Sequence, residues 1–216
     1  MRHENIEAGK FITLEGGEGA GKSTQSTILV NRLLRAGRRV VATREPGGSP
    51  LGEEIREALL SGRIWQLGPV AEAVLFGVAR ADHIDHTIVG ALEQGKWVIC
   101  DRYIDSTRAY QGATSGVSKP VIGALERLTT GGLKPDLTII LDIPPKAGLA
   151  RANERLGDET PDRFERQELV MHERIRQAFL DIAEEEPERC VVIDADHPEA
   201  HVAEDVWEAV TERLHP

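Results

Sequence analysis

Hydrophobic residues are concentrated in short, nearly unbroken runs along the chain. The runs are Phe11–Glu15, Arg39–Thr43, Trp97–Asp101, Leu137–Ile143 and Cys190–Asp194. Strands that are covered on both faces show continuous runs of this kind, whereas a strand with one solvated face alternates. The pattern therefore predicts a five-stranded parallel sheet with helices on both faces.

Helical spacing of apolar residues fills the segments between these runs. The first predicted helix stops at Gly37, and the second opens at Ser49-Pro50, a cap residue with a first-turn proline, and ends at Gly62. Strands that alternate with helices indicate βαβ units and the α/β class. A long helix is predicted over Pro69–Gln94, and later helical patterns cover residues 120–128, 169–182 and 202–210.

A glycine-rich segment follows the first strand and precedes the first helix. It matches G-x-x-x-x-G-K-[ST] and consists of Gly16, Gly17, Glu18, Gly19, Ala20, Gly21, Lys22 and Ser23, with Thr24 next. Backbone amides in such a loop turn around phosphate oxygens, and the helix N-terminus adds partial positive charge. Lys22 would reach the β- and γ-phosphates, and the Ser23 hydroxyl would ligate Mg²⁺. The segment predicts a nucleoside triphosphate site.

A second group of polar residues follows the other strands. Ligands bind beyond the carboxyl ends of strands in an open parallel sheet. The base-reading N-K-x-D segment of a GTPase is absent, whereas a kinase needs a second anionic site, which these arginines could supply. The group comprises Arg44, Pro46, Asp101, Arg102, Ser106, Thr107, Tyr110 and Gln111, and Phe76 and Arg80 share one helix face.

Each member of this group also has an ordinary interpretation when it is taken alone. Arg80 could be a surface residue, Phe76 a core residue, and Asp101-Arg102 a local ion pair. Taken together, the residues indicate a pocket for a nucleoside monophosphate.

These residues lie in strings that resemble bacterial thymidylate kinase. The strings are FITLEGGEGAGKST, TREPGGS, LFGVARADH, DRYIDSTRAYQG, KPDLTIILD and DRFE, and the resemblance covers about residues 10–195. It implies a phosphate-loop fold of the nucleoside monophosphate kinase type with a short lid. It also implies transfer of a phosphoryl group from ATP to dTMP with Mg²⁺, and a homodimer.

The resemblance assigns a role to each pocket residue. Phe76 would stack on thymine, while Arg80 and Thr107 would bond its polar edge. Glu18 would accept a hydrogen bond from the sugar 3′-hydroxyl, and Tyr110 would lie where a ribose 2′-hydroxyl would project. Arg44 and Arg102 would hold the acceptor phosphate, and Pro46, Ser106 and Gln111 would complete the substrate site.

The resemblance also places a lid at about residues 151–165, within a single kinase domain spanning 1–216. In this family one catalytic arginine lies either in the phosphate loop or in the lid. The loop carries Gly19 and no basic residue before Lys22, so Arg155 is the best match, and Arg151 would stack on adenine. Alternatively, the lid arginines, including Arg163, are solvated helix residues paired with Glu154 and Glu165.

Carboxylates near the loop are candidates for a second Mg²⁺ ligand beside Ser23. Asp101, at a strand end, is the preferred one, and Glu15 and Glu165 are others. The cluster Asp82-His83-x-Asp85-His86 has permissive spacing for a metal, but we interpret it as a solvated helix face.

Composition and charge limit the partners of the chain. The formal net charge is −10, which argues against sequence-independent binding of nucleic acid. Apolar runs are too short for a membrane span, and the first ten residues lack a signal-peptide core, so we expect a cytoplasmic protein. Cys100 and Cys190 lie in apolar runs and are expected to be buried free thiols.

Two alternatives to a dTMP kinase remain open from the sequence. The chain could be another phosphate-loop kinase that acts on a nucleoside or a different monophosphate. It could also be a non-catalytic, ATP-binding regulatory module, although Lys22, Ser23 and Arg102 are all present.

Overall fold

The fold is built on a central parallel sheet in the strand order β2–β3–β1–β4–β5. The computed structural model describes residues 8–62, 64–156 and 168–216. The predicted five-stranded α/β fold is confirmed, and each predicted strand end lies within one residue of the observed one. The strands are β1 (Phe11–Glu15), β2 (Val40–Arg44), β3 (Trp97–Asp101), β4 (Leu137–Asp142) and β5 (Cys190–Asp194).

Helices connect the strands on both faces of the sheet. In the described residues they are α1 (Lys22–Arg35), α2 (Pro50–Leu60), α3 (Gly68–His83), α4 (Val89–Glu93), α5 (Ile104–Thr107), α6 (Lys119–Thr130), α7 (Pro145–Leu156), α8 (Leu169–Glu185) and α9 (Glu199–Leu214). A π-helical turn, Ile84–Ile88, joins α3 to α4, so the predicted long helix is one helical stretch. A second π-helical segment, Arg108–Thr114, continues α5. The described helices include none that is both long and apolar enough to cross a bilayer.

The two faces of the sheet carry separate hydrophobic clusters because successive strand residues point in opposite directions. On one face, Ile12 and Leu14 pack with residues of α1 and α9 such as Leu29 and Val206. On the other face, Phe11 packs with residues of the α3–α4 stretch and of the segment after β3. The edge strands β2 and β5 are partly exposed, unlike the buried central strand β1.

The start of α2 follows the sequence prediction in detail. Ser49 has extended backbone geometry, and its hydroxyl accepts a hydrogen bond from the Gly52 amide at 3.2 Å. Pro50 occupies the first turn, where its missing N–H costs no hydrogen bond. This helix therefore leaves the carboxyl edge of the sheet at a fixed position, next to Arg44 at the end of β2.

All five strands are parallel, so their carboxyl ends lie along one edge of the sheet. The end of β1 leads into the phosphate loop, while Arg44 and Asp101 are the last residues of β2 and β3. Because β3 lies between β1 and β2, these three chain ends are neighbours. The fold thus gathers the predicted site residues at one edge.

Candidate active site

The phosphate loop runs from Gly16 to Gly21, between β1 and α1. Helix α1 has no acidic residue in its first turn and no side-chain cap, so its first amides remain available to an anion. The Lys22 ammonium donates hydrogen bonds to the carbonyl oxygens of Gly17 at 2.7 Å and Gly16 at 3.1 Å. Burial lowers the pKa of Lys22 to about 8, and the charge of Arg102 acts in the same direction.

The phosphate loop packs directly against the backbone of α7. A Cβ atom added to Gly19, whose φ is +67°, would lie 1.8 Å from the Gly148 carbonyl oxygen. A Cβ atom added to Gly148 would lie 2.3 Å from the carbonyl oxygen of Glu18. Only glycine fits at both positions, so the loop touches the helix that carries Arg151 and Arg155.

A cavity of about 470 Å³ opens beside the loop. Its lining brings together most of the predicted site residues: Glu18, Gly19, Gly21, Lys22, Ser23, Thr24, Arg44, Pro46, Phe76, Arg80, Asp101, Arg102, Ser106, Thr107, Tyr110 and Gln111. The loop residues Gly16, Gly17 and Ala20, and Arg151 of α7, do not line it. Glu45, Arg56, Leu60 and Tyr103 line it although the sequence analysis gave them no role.

Glu18 is the acceptor for two side chains at the centre of this cavity. The Arg102 guanidinium and the Tyr110 hydroxyl each donate to its Oε1 atom at 2.7 Å. Burial alone would raise the pKa of Glu18, but the charges of Arg102 and Lys22 outweigh it and lower the pKa to about 2. Arg102 is thus held over the phosphate loop, and its backbone has a φ of +72°.

Arg80 is buried, with 2% of its surface exposed, so the interpretation as a surface residue is wrong. Its Nε atom donates to the Glu45 carboxylate at 2.8 Å. One terminal nitrogen donates to the Thr107 hydroxyl at 3.0 Å and to the Tyr103 carbonyl at 3.2 Å. These bonds fix the guanidinium as a hydrogen-bond donor at the cavity wall.

His83 is fully buried behind Arg80, so the interpretation of its cluster as a solvated face is wrong for this residue. Its ring nitrogens lie 3.1 Å from the Glu45 carboxylate and 2.6 Å from the Thr43 hydroxyl. The reason is topological, because the carboxyl end of β2 passes directly over this face of the helix. His86, one turn later, is exposed and lies beside Asp82, as expected of a solvated face.

Gln111 is buried against the carboxylate of Glu72, a residue of α3. Its amide nitrogen donates to the Glu72 Oε1 atom at 2.8 Å, and both residues are 2% exposed. Gln111 lies in the π-helical segment that faces α3 across the cavity.

Ser23 and Asp101 meet at the mouth of the phosphate loop. The Ser23 hydroxyl donates to the Asp101 carboxylate at 2.5 Å. Arg102 forms its ion pair with Glu18, so the interpretation of Asp101-Arg102 as a local ion pair is wrong. Glu15 is fully buried and accepts hydrogen bonds from the Tyr103 amide and the Ser106 hydroxyl. Burial raises the pKa of Glu15 to about 8. Both of its oxygens already accept hydrogen bonds within the fold, as expected of a structural carboxyl.

The lid residues are only partly within the described chain. Arg151 donates to the Ala195 carbonyl at 2.8 Å and to the Asp196 carboxylate at 3.3 Å. Arg155 lies in the last turn of α7, but its side chain and residues 157–167, which include Arg163, lie outside the described residues. The predicted roles of the lid arginines therefore stay predictions.

One sequence signal could have located Glu72 in advance. Glu72, Phe76 and Arg80 follow one another at intervals of four, so they share a helix face.

Glu45 lies next to Arg44 in the sequence but points to the opposite side of the strand end, towards His83. Arg56 donates to the Pro46 carbonyl at 2.9 Å, and nothing in the sequence pattern of α2 indicates that contact.

Comparisons with known proteins agree in one family. A family model described as thymidylate kinase matches residues 14–206. The chain is 54% identical over 206 residues to a thymidylate kinase of Bradyrhizobium sp. strain ORS 278, covering 95% of this chain and 91% of that protein. It is 55% identical over 208 residues to one from Rhodopseudomonas palustris, covering 95% and 90%.

A solved structure supports the same assignment. The crystal structure of thymidylate kinase from Ehrlichia chaffeensis superposes with a TM-score of 0.76 at 33% identity. The match covers 94% of this chain and 99% of that chain.

Proposed function

The chain belongs to the thymidylate kinase family, and we propose that its cavity binds dTMP beside an ATP molecule held by the phosphate loop. It is a kinase that phosphorylates dTMP to dTDP with ATP, a step towards dTTP. The comparisons give no support to another nucleotide kinase or to a non-catalytic module. One observation carries the proposal: Lys22 and Arg102 line the same cavity as Phe76 and Arg80.

The triphosphate of ATP fits the loop residues Gly16 to Thr24. The uncapped amides of α1 would bond the phosphate oxygens, and Lys22 would exchange its two carbonyl partners for the β- and γ-phosphates. Arg151 would lie against the adenine ring beside α7. The direct contact of Gly19 with Gly148 keeps this helix next to the loop.

The base of dTMP fits between α3 and the π-helical segment. Phe76 supplies a flat apolar surface, and Arg80 presents a donor to the O4 atom, which thymine has and cytosine replaces with an amino group. Thr107 both accepts from Arg80 and lies at the cavity wall. Glu18 and Tyr110, already bonded to each other, would enclose the deoxyribose.

The acceptor phosphate fits between Arg44 and Arg102, with Ser106 and the Pro46 turn completing its surroundings. Arg44 pairs with the exposed Glu53 carboxylate at 3.0 Å and would exchange it for the phosphate. A monoester phosphate is already ionised near pH 7, so its oxygen attacks the γ-phosphorus without a general base. Lys22, Arg102 and Arg155 would then offset the charge on the transferring group.

Ser23 and Asp101 fit a Mg²⁺ ion, because both offer oxygen ligands and lie in contact at the mouth of the loop. A bound Mg²⁺ would offset the charge on the β- and γ-phosphate oxygens. Ser23 would ligate it directly, with Asp101, which already contacts the Ser23 hydroxyl, as the preferred second ligand.

The proposal includes a lid over residues 151–165, in a single kinase domain spanning residues 1–216. Its closure would exclude water and so suppress hydrolysis of ATP. A reducing, cytoplasmic setting agrees with Cys100 and Cys190, which are buried and free, as the sequence predicted.

We also propose a homodimer formed through α3. Val70, Val74 and Val78 recur at intervals of four and are 40–52% exposed, while Leu128 of the neighbouring α6 is 79% exposed. An apolar stripe of this extent on a helix surface is typical of an interface between proteins. The other face of the same helix carries the substrate residues.

The test is a coupled assay of ADP release with ATP and Mg²⁺ in which dTMP, dUMP, UMP, dCMP and thymidine are compared as acceptors. We expect turnover to be highest with dTMP, weaker with dUMP and absent with thymidine, which lacks the acceptor phosphate. ATP binding without turnover of any acceptor would contradict the proposed function.

A further inference from the structure

A buried carboxylate stands behind Gln111 in the wall of the cavity. The Glu72 side chain does not line the cavity, whereas Gln111 does. The two side chains are joined by one hydrogen bond of 2.8 Å, from the Gln111 amide nitrogen to Glu72 Oε1. Both are almost completely buried, so water does not compete for this bond.

The chemistry of the two groups fixes which end of the amide faces the cavity. The Gln111 amide nitrogen donates to a Glu72 carboxylate oxygen, so the NH₂ group of Gln111 faces Glu72. The carbonyl oxygen lies on the other branch of the planar amide and is turned away from Glu72. No donor among the described residues bonds to this oxygen. Gln111 therefore offers the cavity an acceptor.

Gln111 and the Arg80 donor line the same cavity, on its two opposite helical walls. Glu72, Phe76 and Arg80 follow one face of α3 at intervals of about 6 Å. Across the cavity, Arg80 donates to Thr107 and Gln111 donates to Glu72. The two helical segments are therefore antiparallel, and Phe76 lies on α3 between the two bonded pairs.

A donor beside an acceptor matches one kind of pyrimidine edge. Thymine and uracil present an acceptor at O4 and a donor at N3–H, whereas cytosine presents the reverse at both positions. Phe76, Arg80 and Gln111 line one cavity, so a base that stacks on Phe76 and accepts from Arg80 at O4 could present N3–H to Gln111.

We propose that Glu72 is a positioning residue for base selection: it holds the Gln111 amide with its carbonyl oxygen towards N3–H. This inference rests on the proposed binding of dTMP in the cavity. Glu72 does not line the cavity, and its proposed effect on the base passes through Gln111. Without Glu72, the Gln111 amide can rotate and present its NH₂ group to the base. It would then bind cytosine as readily as thymine.

The test replaces Glu72 by Gln, which keeps the shape but can face Gln111 with either an acceptor or a donor. We expect kcat/KM for dTMP to fall about tenfold, through KM rather than kcat, and the dTMP-to-dCMP ratio of kcat/KM to fall by at least as much. The matched control is Glu54→Gln on the exposed surface of α2, which leaves both quantities unchanged.

A second variant separates positioning from a general loss of structure. In a Gln111→Ala background, Glu72→Gln should change the dTMP-to-dCMP ratio no further, because its effect passes through Gln111. Additive losses in the double variant, or an unchanged ratio in Glu72→Gln, would overturn the inference. A wild-type enzyme that does not use dTMP would instead overturn the proposed function itself.

The native protein offers a measurement that does not depend on the folding of a Glu72 variant. The side-chain NH₂ resonances of Gln111 are assigned by their loss in Gln111→Ala. Because these protons face a buried carboxylate, we expect slow exchange with water both with and without dTMP. Fast exchange, or a large shift of the NH₂ signals when dTMP binds, would show that the amide faces the substrate with its nitrogen.

Discussion

Charged side chains around the phosphate loop are organised by one another before any nucleotide is present. Glu18 draws Arg102 over the loop, and the same positive charges hold the pKa of Glu18 at about 2. The charged form of Lys22 is destabilised, because burial and Arg102 together lower its pKa to about 8. The nearby carboxylates of Glu18, Asp101 and Glu15 offset this lowering only in part. The polyphosphate of ATP would add further negative charge beside Lys22.

This balance predicts that ATP affinity depends on pH above 8. In the free enzyme Lys22 loses its proton as the pH rises through about 8, so binding of the phosphates must then take up a proton. We expect the Kd for ATP to be constant from pH 6.5 to 7.5 and to rise by up to about tenfold per pH unit above 8. Isothermal titration calorimetry with Mg²⁺ and without dTMP measures both the Kd and the proton uptake.

The control for this prediction is Lys22→Arg, which keeps its charge over the whole range. Its affinity is expected to be lower at pH 7 but independent of pH. A wild-type Kd that stays flat up to pH 9.5 would contradict the lowered pKa of Lys22.

Some residues of the site could be predicted from the sequence and others could not. Arg44 and Asp101 end predicted strands, and parallel strands place such residues at one edge. The burial of His83 depends on Thr43 and Glu45, which lie about 40 residues away in the chain. Sequence spacing indicates which residues are neighbours within one helix or strand. It does not predict contacts between residues of different elements, such as those of His83 with Thr43 and Glu45.

At the scale of elements, the beginning of α2 shows how local sequence fixes the wall of the cavity. Arg56 of this helix donates to the Pro46 carbonyl, so α2 supports the turn after β2. We expect Ser49→Ala to lower the free energy of unfolding by about 1 kcal/mol, because the Gly52 amide loses its acceptor near a buried helix end.

Urea-induced unfolding at a fixed protein concentration measures this loss. Ser61→Ala, at the exposed other end of the same helix, serves as the control and should change stability by less than about 0.5 kcal/mol. Equal effects of the two variants would mean that the Ser49 hydroxyl is not the source of the stability.

Helix α3 carries two stripes of residues on opposite faces. Phe76 and Arg80 line the cavity, and Glu72 lies on the same face behind Gln111. Val70, Val74 and Val78 lie two positions earlier, about 200° around the helix. Both stripes could be predicted from spacing. The π-helical turns after α3 and α5 could not, because segments of 5 and 7 residues are too short to distinguish a π-helical period from an α-helical one.

At the scale of the whole molecule, the proposed dimer makes the outer stripe of α3 a buried surface. A carboxylate at Val74 would be desolvated at the centre of that surface, so we expect Val74→Glu to shift the protein from dimer to monomer at micromolar concentration. Sedimentation velocity measures the change.

The matched control is Val170→Glu, which places the same charge on an exposed valine in the first turn of α8. It should leave the dimer intact. A monomeric wild-type protein, or a dimeric Val74→Glu variant, would contradict the proposed interface.

The close approach of Gly19 and Gly148 limits how this enzyme could change over evolutionary time. An arginine at position 19 would place its Cβ on the Gly148 carbonyl and would also adopt a left-handed backbone. With the catalytic arginine in the lid, as proposed, a lineage with this packing cannot move that arginine to position 19 by one substitution. The lineage would first have to pass through variants in which α7 lies farther from the loop. The absence of side chains at Gly19 and Gly148 thus opposes a change from a lid arginine to a loop arginine.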